Sequence, residues 1–167
     1  MAIKMIALDV DGCLNDGKIV YSESGGEVKA FNVKDGLGIV SWIRLGRYAS
    51  IITGRSSKLV DLRAKELGIN RVYQGVKDKG EALKSLAKEF NLELSQIAVI
   101  GDDLNDYPMI KIAGESFAPY DANPKILEVV NYRLTKRGGD GAVREMIEIL
   151  LKKEGLLEEF YSLWSLK

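Results

Sequence analysis

The sequence predicts an α/β protein built on a doubly wound parallel sheet, interrupted once by a short β-hairpin. Three observations carry that prediction. Short β-rich apolar runs alternate with helical patterns along most of the chain, the order that gives β-α-β units and therefore parallel strands. The runs Ile51-Ile52 and Ala98-Val99-Ile100 are continuously apolar, as strands buried on both faces require. Three polar clusters, Asp9-Val10-Asp11-Gly12, Thr53-Gly54-Arg55 and Gly101-Asp102-Asp103, each follow one of the predicted strands. Loops at the carboxyl ends of such strands are where open sheets bind their ligands.

Strands are expected over 3–8, 48–52, 71–73, 97–100 and 132–134, and helices over about 36–46, 57–67, 79–90, 105–113, 124–130 and 141–153. In the third helix Leu83, Leu86, Ala87 and Phe90 recur at helical spacing, so one face is apolar. Residues 18–31 break the rhythm. Two strand-like stretches, 18–21 and 27–31, flank Glu23-Ser24-Gly25-Gly26, whose glycines supply the left-handed backbone of a hairpin turn. A lone hairpin is marginal in water, so this one should lean on its own domain or on another subunit. The tail, 155–167, carries Leu156, Leu157, Phe160, Leu163 and Trp164 near helical spacing, as a docked terminal helix or a partner surface would.

The 167 residues fit one domain, 1–167, at the usual ~100–200 residues per domain. Lys plus Arg and Asp plus Glu are 24 each, for no net charge, which argues against a nucleic-acid binder, since those carry a basic excess. Histidine is absent, which removes Ser-His-Asp and Cys-His catalysis and His-ligated zinc. The single Cys13 cannot form an intrachain disulfide and reads as a small buried apolar residue. No basic-then-apolar leader and no run of ~20 apolar residues is visible, so a cytoplasmic protein without membrane contact is expected.

The chemistry must then come from carboxylates, lysines, hydroxyls and backbone amides. Asp9 and Asp11 alternate along the chain and so point to different sides of the backbone. With Asp102 arriving at the same sheet edge, the carboxylates repel unless a hard cation sits among them. An all-oxygen site of this kind suits Mg²⁺.

Four segments in order, Asp9-Val10-Asp11-Gly12-Cys13-Leu14, Thr53-Gly54-Arg55, Lys79 and Gly101-Asp102-Asp103-Leu104-Asn105-Asp106, resemble the four motifs of the haloacid dehalogenase-like phosphatases. Neither the region after Asp11 nor that between Thr53 and Lys79 has room for a cap domain, so the resemblance is to the capless subgroup of this Rossmann-like fold. It implies that Asp9 is a nucleophile forming an aspartyl phosphate and Asp11 the general acid and then base. It further implies that Asp9, the carbonyl of Asp11 and Asp102 hold Mg²⁺. Thr53 and Lys79 would grip the phosphoryl oxygens, and Asp103 and Asp106 would order the metal shell or Lys79. Substrate contacts would fall on Gly54, Arg55, Lys34 and Arg63. The stretches 31–36, 73–75 and 138–145 resemble members that act on sugar-acid phosphates in lipopolysaccharide synthesis, and these imply a homotetramer with shared active sites. Relatives acting on nine-carbon sugars carry Glu where this chain has Arg55.

Other patterns carry less. Gly36-Leu37-Gly38 lacks the third glycine of a dinucleotide loop, and no P-loop is present. Receiver domains also gather acidic residues, a Thr and a Lys, but their phosphorylated Asp follows the third strand. No Asp directly follows 71–73 here. The loop Arg137-Gly138-Gly139-Asp140-Gly141 reads as a cap for the final helix or a segment reaching into an active site.

Overall fold

The computed structural model describes residues 2–166. Six strands, β1 (Met5–Leu8), β4 (Tyr48–Ile52), β5 (Arg71–Tyr73), β6 (Ile97–Ile100), β7 (Glu115–Ala118) and β8 (Tyr132–Arg133), form one sheet in the order β5-β4-β1-β6-β7-β8. Every pairing in it is parallel. The chain winds outward from β1 through β4 to β5, then crosses back to β6 and winds the other way. The order therefore reverses between β1 and β6, which opens a crevice at their carboxyl ends.

Successive residues of the central strands serve opposite layers, as the pleat dictates. Ile6, Leu8, Ile51 and Ile100 pack with Ile39, Trp42, Val143, Met146 and Ile147 on one face. Met5, Ala7, Ile52 and Val99 pack with Leu83, Leu86, Met109 and Ile126 on the other. The first layer is covered by α1 (Val33–Arg44), α2 (Lys58–Leu67), α6 (Ala142–Lys153) and α7 (Leu157–Ser162), the second by α3 (Lys79–Glu89), α4 (Tyr107–Ile110) and α5 (Pro124–Val129).

Several expectations shift. β7 was not anticipated, because Glu115-Ser116 reads as polar. Its polar groups are matched locally: the Ser116 amide and hydroxyl both donate to Asn131 Oδ1, and Glu115 pairs with Lys153. The expected helix over 36–46 begins at Val33, since the Asn32 side chain accepts from the Lys34 amide and caps it. The expected helix over 105–113 is a 3-10 turn, Leu104–Asp106, followed by the four-residue α4. The hairpin strands are only β2 (Val20–Tyr21) and β3 (Glu27–Val28), antiparallel.

The tail docks on the body: Phe160 is buried with the Arg144 guanidinium over its ring, and Trp164 Nε1 donates to Ser41 Oγ. The 137–141 loop buttresses the β1 loop from behind rather than entering the cleft. The Gly139 amide donates to the Cys13 carbonyl at 3.0 Å, and a Cβ on Gly138 would lie 1.8 Å from the Gly12 carbonyl oxygen.

Candidate active site

β1, β4 and β6 deliver the polar clusters to the crevice. A cleft of about 250 Å³ is lined by Asp9, Asp11, Gly17, Thr53, Gly54, Arg55, Asp102, Asp103 and Asn105. The β1 loop turns sharply at Gly12, whose φ of 98° suits glycine. A Cβ there would sit 2.0 Å from Asp102 Oδ2, so glycine is what lets the β6 carboxylate come up against this loop.

Asp9 lies on the floor, 5% exposed. Lys79, the first residue of α3, is also buried and donates to Asp9 Oδ1 at 2.7 Å and to Asp106 Oδ1. Asp106 turns its other oxygen to the amides of Asp102 (2.8 Å) and Asp103 (3.2 Å), and so joins the β6 loop to Lys79. Burial, then repulsion from Asp106, pushes the Asp9 carboxyl up to about 7 in spite of Lys79. Burial likewise raises Asp102 to about 8, helped by the charges of Asp9, Asp106 and Asp103. Burial also works against the Lys79 ammonium, but Asp9 and Asp106 outweigh it and hold its pKa above the ordinary value.

The rim differs. Asp11 Oδ1 accepts from Asn15 Nδ2 at 2.8 Å and from Lys29 Nζ at 2.6 Å, while Oδ2 lies 3.9 Å from Arg55 Nε. Partial burial raises the Asp11 pKa, yet the hydrogen bonds from Asn15 and Lys29 and the charges of Lys29 and Arg55 outweigh it, leaving the pKa below its usual value. Glu27 bridges Lys29 at 3.3 Å and Arg55 at 3.2 Å.

Of the anticipated residues, Asp9, Asp11, Thr53, Gly54, Arg55, Asp102 and Asp103 meet in the cleft. Lys79 and Asp106 lie beneath it. Lys34 and Arg63 do not reach it: Lys34 is exposed on α1, and the Arg63 guanidinium lies over Phe31 and pairs with Glu66. Asn15, Gly17, Glu27, Lys29 and Asn105 were not anticipated. A signal for two of them exists in the alternation Glu27-Val28-Lys29-Ala30, which puts both charges on one face of a strand.

The donor set fits a hard divalent cation. Asp9 and Asp102 crowd together where burial and the charge of neighbouring carboxylates raise both carboxyls above the usual range, and relieving that repulsion is the role a cation fills in such oxygen sites. Cys13 is buried as expected; its thiol has one ligand-type atom within 4.8 Å of those of Asp9 and Asp102. Burial, with the charges of Asp9 and Asp102, raises its pKa and keeps it a thiol.

Comparison with known proteins agrees with this geometry. Residues 57–147 match the family model of the haloacid dehalogenase-like hydrolases, and the chain belongs to that family. Within it, the chain is 41% identical over 157 residues to 3-deoxy-D-manno-octulosonate 8-phosphate phosphatase of Escherichia coli K12, covering 94% of this chain and 84% of that protein. A crystal structure of the phosphatase of the same name from Moraxella catarrhalis, in complex with magnesium ion, phosphate ion and KDO, superposes with a TM-score of 0.95 at 45% identity, over 98% of this chain and 94% of that one. A cobalt-bound deoxy-D-mannose-octulosonate 8-phosphate phosphatase from Haemophilus influenzae gives 0.91 at 36% identity, over 95% and 92%.

Proposed function

We propose that this chain is a Mg²⁺-dependent phosphomonoesterase that converts 3-deoxy-D-manno-octulosonate 8-phosphate to the free sugar acid and inorganic phosphate, a step of lipopolysaccharide synthesis. The observation that carries the reading is the pair Asp9 and Asp11: two carboxylates at the sheet's switch point, one on the floor of the cleft and one on its rim, which puts a nucleophile and a separate proton carrier at one cleft. The relatives named above support the substrate.

In this reading Asp9 attacks phosphorus, the bond from phosphorus to the sugar oxygen breaks, and Asp11 gives its proton to the departing alkoxide. Water then attacks the aspartyl phosphate, Asp11 takes a proton from it, and the Asp9 carboxylate is regenerated as phosphate leaves. Thr53 donates to a phosphoryl oxygen, and Lys79 holds the Asp9 carboxylate in place and offsets charge beneath it. Asp9, the Asp11 carbonyl and Asp102 hold the cation, which when bound neutralises the repulsion between carboxylate and phosphate. Asp103 caps the 3-10 turn through the Leu104 amide and Asp106 braces the β6 loop, so both act behind the metal ligands.

A cleft of about 250 Å³ is below the ~300–1,000 Å³ of sites that enclose a whole small molecule. It takes the phosphoryl group and the nearest carbons, and the rest of the sugar acid extends past the rim at Arg55. Enclosure falls to an assembly, and we read it as a homotetramer with shared sites. The hairpin is tethered to its own rim through Lys29 and Glu27, yet Ile19, Val20, Tyr21 and Val28 remain 47–66% exposed, an apolar surface suited to self-association. Lys34 and Arg63, which do not reach their own cleft, would serve a neighbour's site. The whole chain acts as one domain, in the cytoplasm; among the described residues no helix is long and apolar enough to cross a membrane.

Phosphate release from a panel of sugar phosphates, with Mg²⁺ and with EDTA, tests the reading. The eight-carbon acid phosphate should give the highest kcat/KM and EDTA should silence turnover; preference for a nine-carbon 9-phosphate would change the substrate, and metal-independent turnover would overturn the site. Light scattering on the parent and on Tyr21→Asp tests the assembly, with a tetramer expected for the first and smaller species for the second.

A further inference from the structure

Lys29 belongs to the hairpin, not to any of the motif segments, yet its ammonium ends at the rim of the cleft. Its side chain is 2% exposed, an unusual burial for a lysine unless it is paired. Nζ lies 2.6 Å from Asp11 Oδ1 and 3.3 Å from Glu27, and Lys29 does not line the cleft. Its ammonium is therefore directed at Asp11 and Glu27 rather than into the open cleft. Asn15 Nδ2 reaches the same oxygen, Oδ1, at 2.8 Å. Asn15 is itself fixed, because its own carbonyl oxygen accepts from the amides of Gly12 and Gly17.

Two donors on one carboxylate oxygen set the torsion of the group and occupy that oxygen. The other oxygen, Oδ2, is left on the side of Arg55, which does line the cleft. A proton carrier has to hold its reactive oxygen within hydrogen-bond reach of the leaving group, and a small misplacement costs a large factor in rate.

We infer that Lys29 is a positioning residue that, with Asn15, pins Asp11 Oδ1 so that Oδ2 is the oxygen that hands the proton to the leaving sugar alkoxide. The inference rests on the reading of Asp11 as proton donor given above. It also gives the hairpin a task inside its own subunit: Lys29, the residue after β3, reaches the β1 loop, and Glu27 pairs with it from β3.

The choice of leaving group separates positioning from a merely structural role. A sugar alkoxide needs a proton as it departs, whereas p-nitrophenolate leaves without one. In single-turnover experiments on Lys29→Met with Mg²⁺, release of the sugar from its phosphate should slow by about 10- to 100-fold, part of the ~10²–10⁴ that general acid catalysis supplies. The burst of p-nitrophenolate from p-nitrophenyl phosphate, which reports only transfer to Asp9, should stay within about two-fold of the parent. Lys29→Arg, which keeps a cation at the strand, should recover most of the loss. Equal losses on both esters in Lys29→Met, or no loss on the sugar phosphate, would overturn the role of Lys29. Asp11→Asn, run alongside, addresses the underlying reading: equal losses there would overturn Asp11 as donor, whereas a split in Asp11→Asn without one in Lys29→Met sinks the inference about Lys29 alone.

Discussion

Asp9 and Asp11 are two residues apart, and their surroundings push them in opposite directions. Asp9 stands on a floor made by the ends of β1 and β6 and the start of α3, where burial raises its pKa to about 7 and Lys79 and Asp106 are packed in beside it. Asp11 stands on a rim made by the hairpin and the β4 loop, where Asn15, Lys29 and Arg55 lower its pKa despite partial burial. The floor is a set of charges enclosed by the core, so its integrity is bound up with folding. The rim is a set of charges at the cleft mouth, open to solvent at Arg55 and closed over Lys29, so its integrity bears on how substrate is handled. Substitutions should separate the two.

The largest effect belongs to Asp9, the nucleophile of the proposed mechanism. Asp9→Asn keeps the side-chain shape but cannot attack phosphorus, so kcat should fall by about three orders of magnitude or more. Phosphate release measures it, and near-parent activity would remove the mechanism. Lys79→Met comes next and should show in folding as well as rate. Removing one partner of a buried charge group leaves the others uncompensated, at a cost of about 3–5 kcal/mol. Asp9, whose carboxyl is raised to about 7, can escape part of that penalty by taking up a proton, so denaturant melts of parent and variant should lie closer together at pH 5 than at pH 8. A variant as stable as the parent at both would mean that the floor is not the enclosed network described here.

The same contrast explains what the sequence made legible. Part of the floor could be read from strand ends alone: Asp9, Thr53 and Asp102 sit where apolar runs end, and the fold rule brings those ends together, whereas the role of Lys79, at the start of α3, comes from the family resemblance. The strands 48–52, 71–73 and 97–100 were read at the bounds the structure has, since buried parallel strands are apolar throughout. β7 was illegible because Ser116 and Glu115 satisfy their polar groups against Asn131 and Lys153, partners distant in sequence. The rim was illegible for a similar reason. Lys29 meets Asp11 and Glu27 meets Arg55 only once the hairpin has folded back, and nothing local in 18–31 says which way it folds. Lys34, expected near the substrate, is exposed on α1, and Arg63, expected there too, turns its guanidinium over Phe31 and against Gly36 of α1, so neither lines the cleft of its own chain.

Metal binding sharpens the comparison at the next smaller scale. The carboxyls of Asp9 and Asp102 rise from 3.8 to about 7 and about 8, so around pH 6 they still retain protons that a cation must displace. Mg²⁺ affinity should therefore strengthen as pH rises from about 6 to 9, with proton release on binding, as calorimetry in buffers of different ionisation enthalpy would register. The sign for the metal-free protein is opposite. A folded pKa raised above the unfolded value gives stability that is present below pH 3.8 and lost as pH rises toward 8, so the melting temperature without metal should decline over that range and Mg²⁺ should restore it. An affinity independent of pH would mean that Asp9 and Asp102 are not the pair the cation occupies.

Glu27 offers the smallest effect and the cleanest separation of rim from floor. It accepts from Arg55 at 3.2 Å, pairs with Lys29 at 3.3 Å and takes a further hydrogen bond from Ser57, the residue that caps α2. Arg55 is 44% exposed, so solvent screens that pair, and Lys29 keeps Asp11 at 2.6 Å as its partner when Glu27 loses its charge, so little stability is at stake. Glu27→Gln keeps the shape and removes the charge. Its melting temperature should move by no more than about 2–4 °C, and even that difference should fade in ~1 M salt, where screening reaches ~3 Å. Substrate handling should change more than folding does. Arg55 loses its tether and samples more orientations over the cleft mouth, so KM for the sugar phosphate should rise several-fold while the p-nitrophenolate burst rate holds. A loss of stability comparable to that of Lys79→Met would mean that the hairpin charges are part of the folded core, and the division between a structural floor and a substrate-handling rim would have to be redrawn at Lys29.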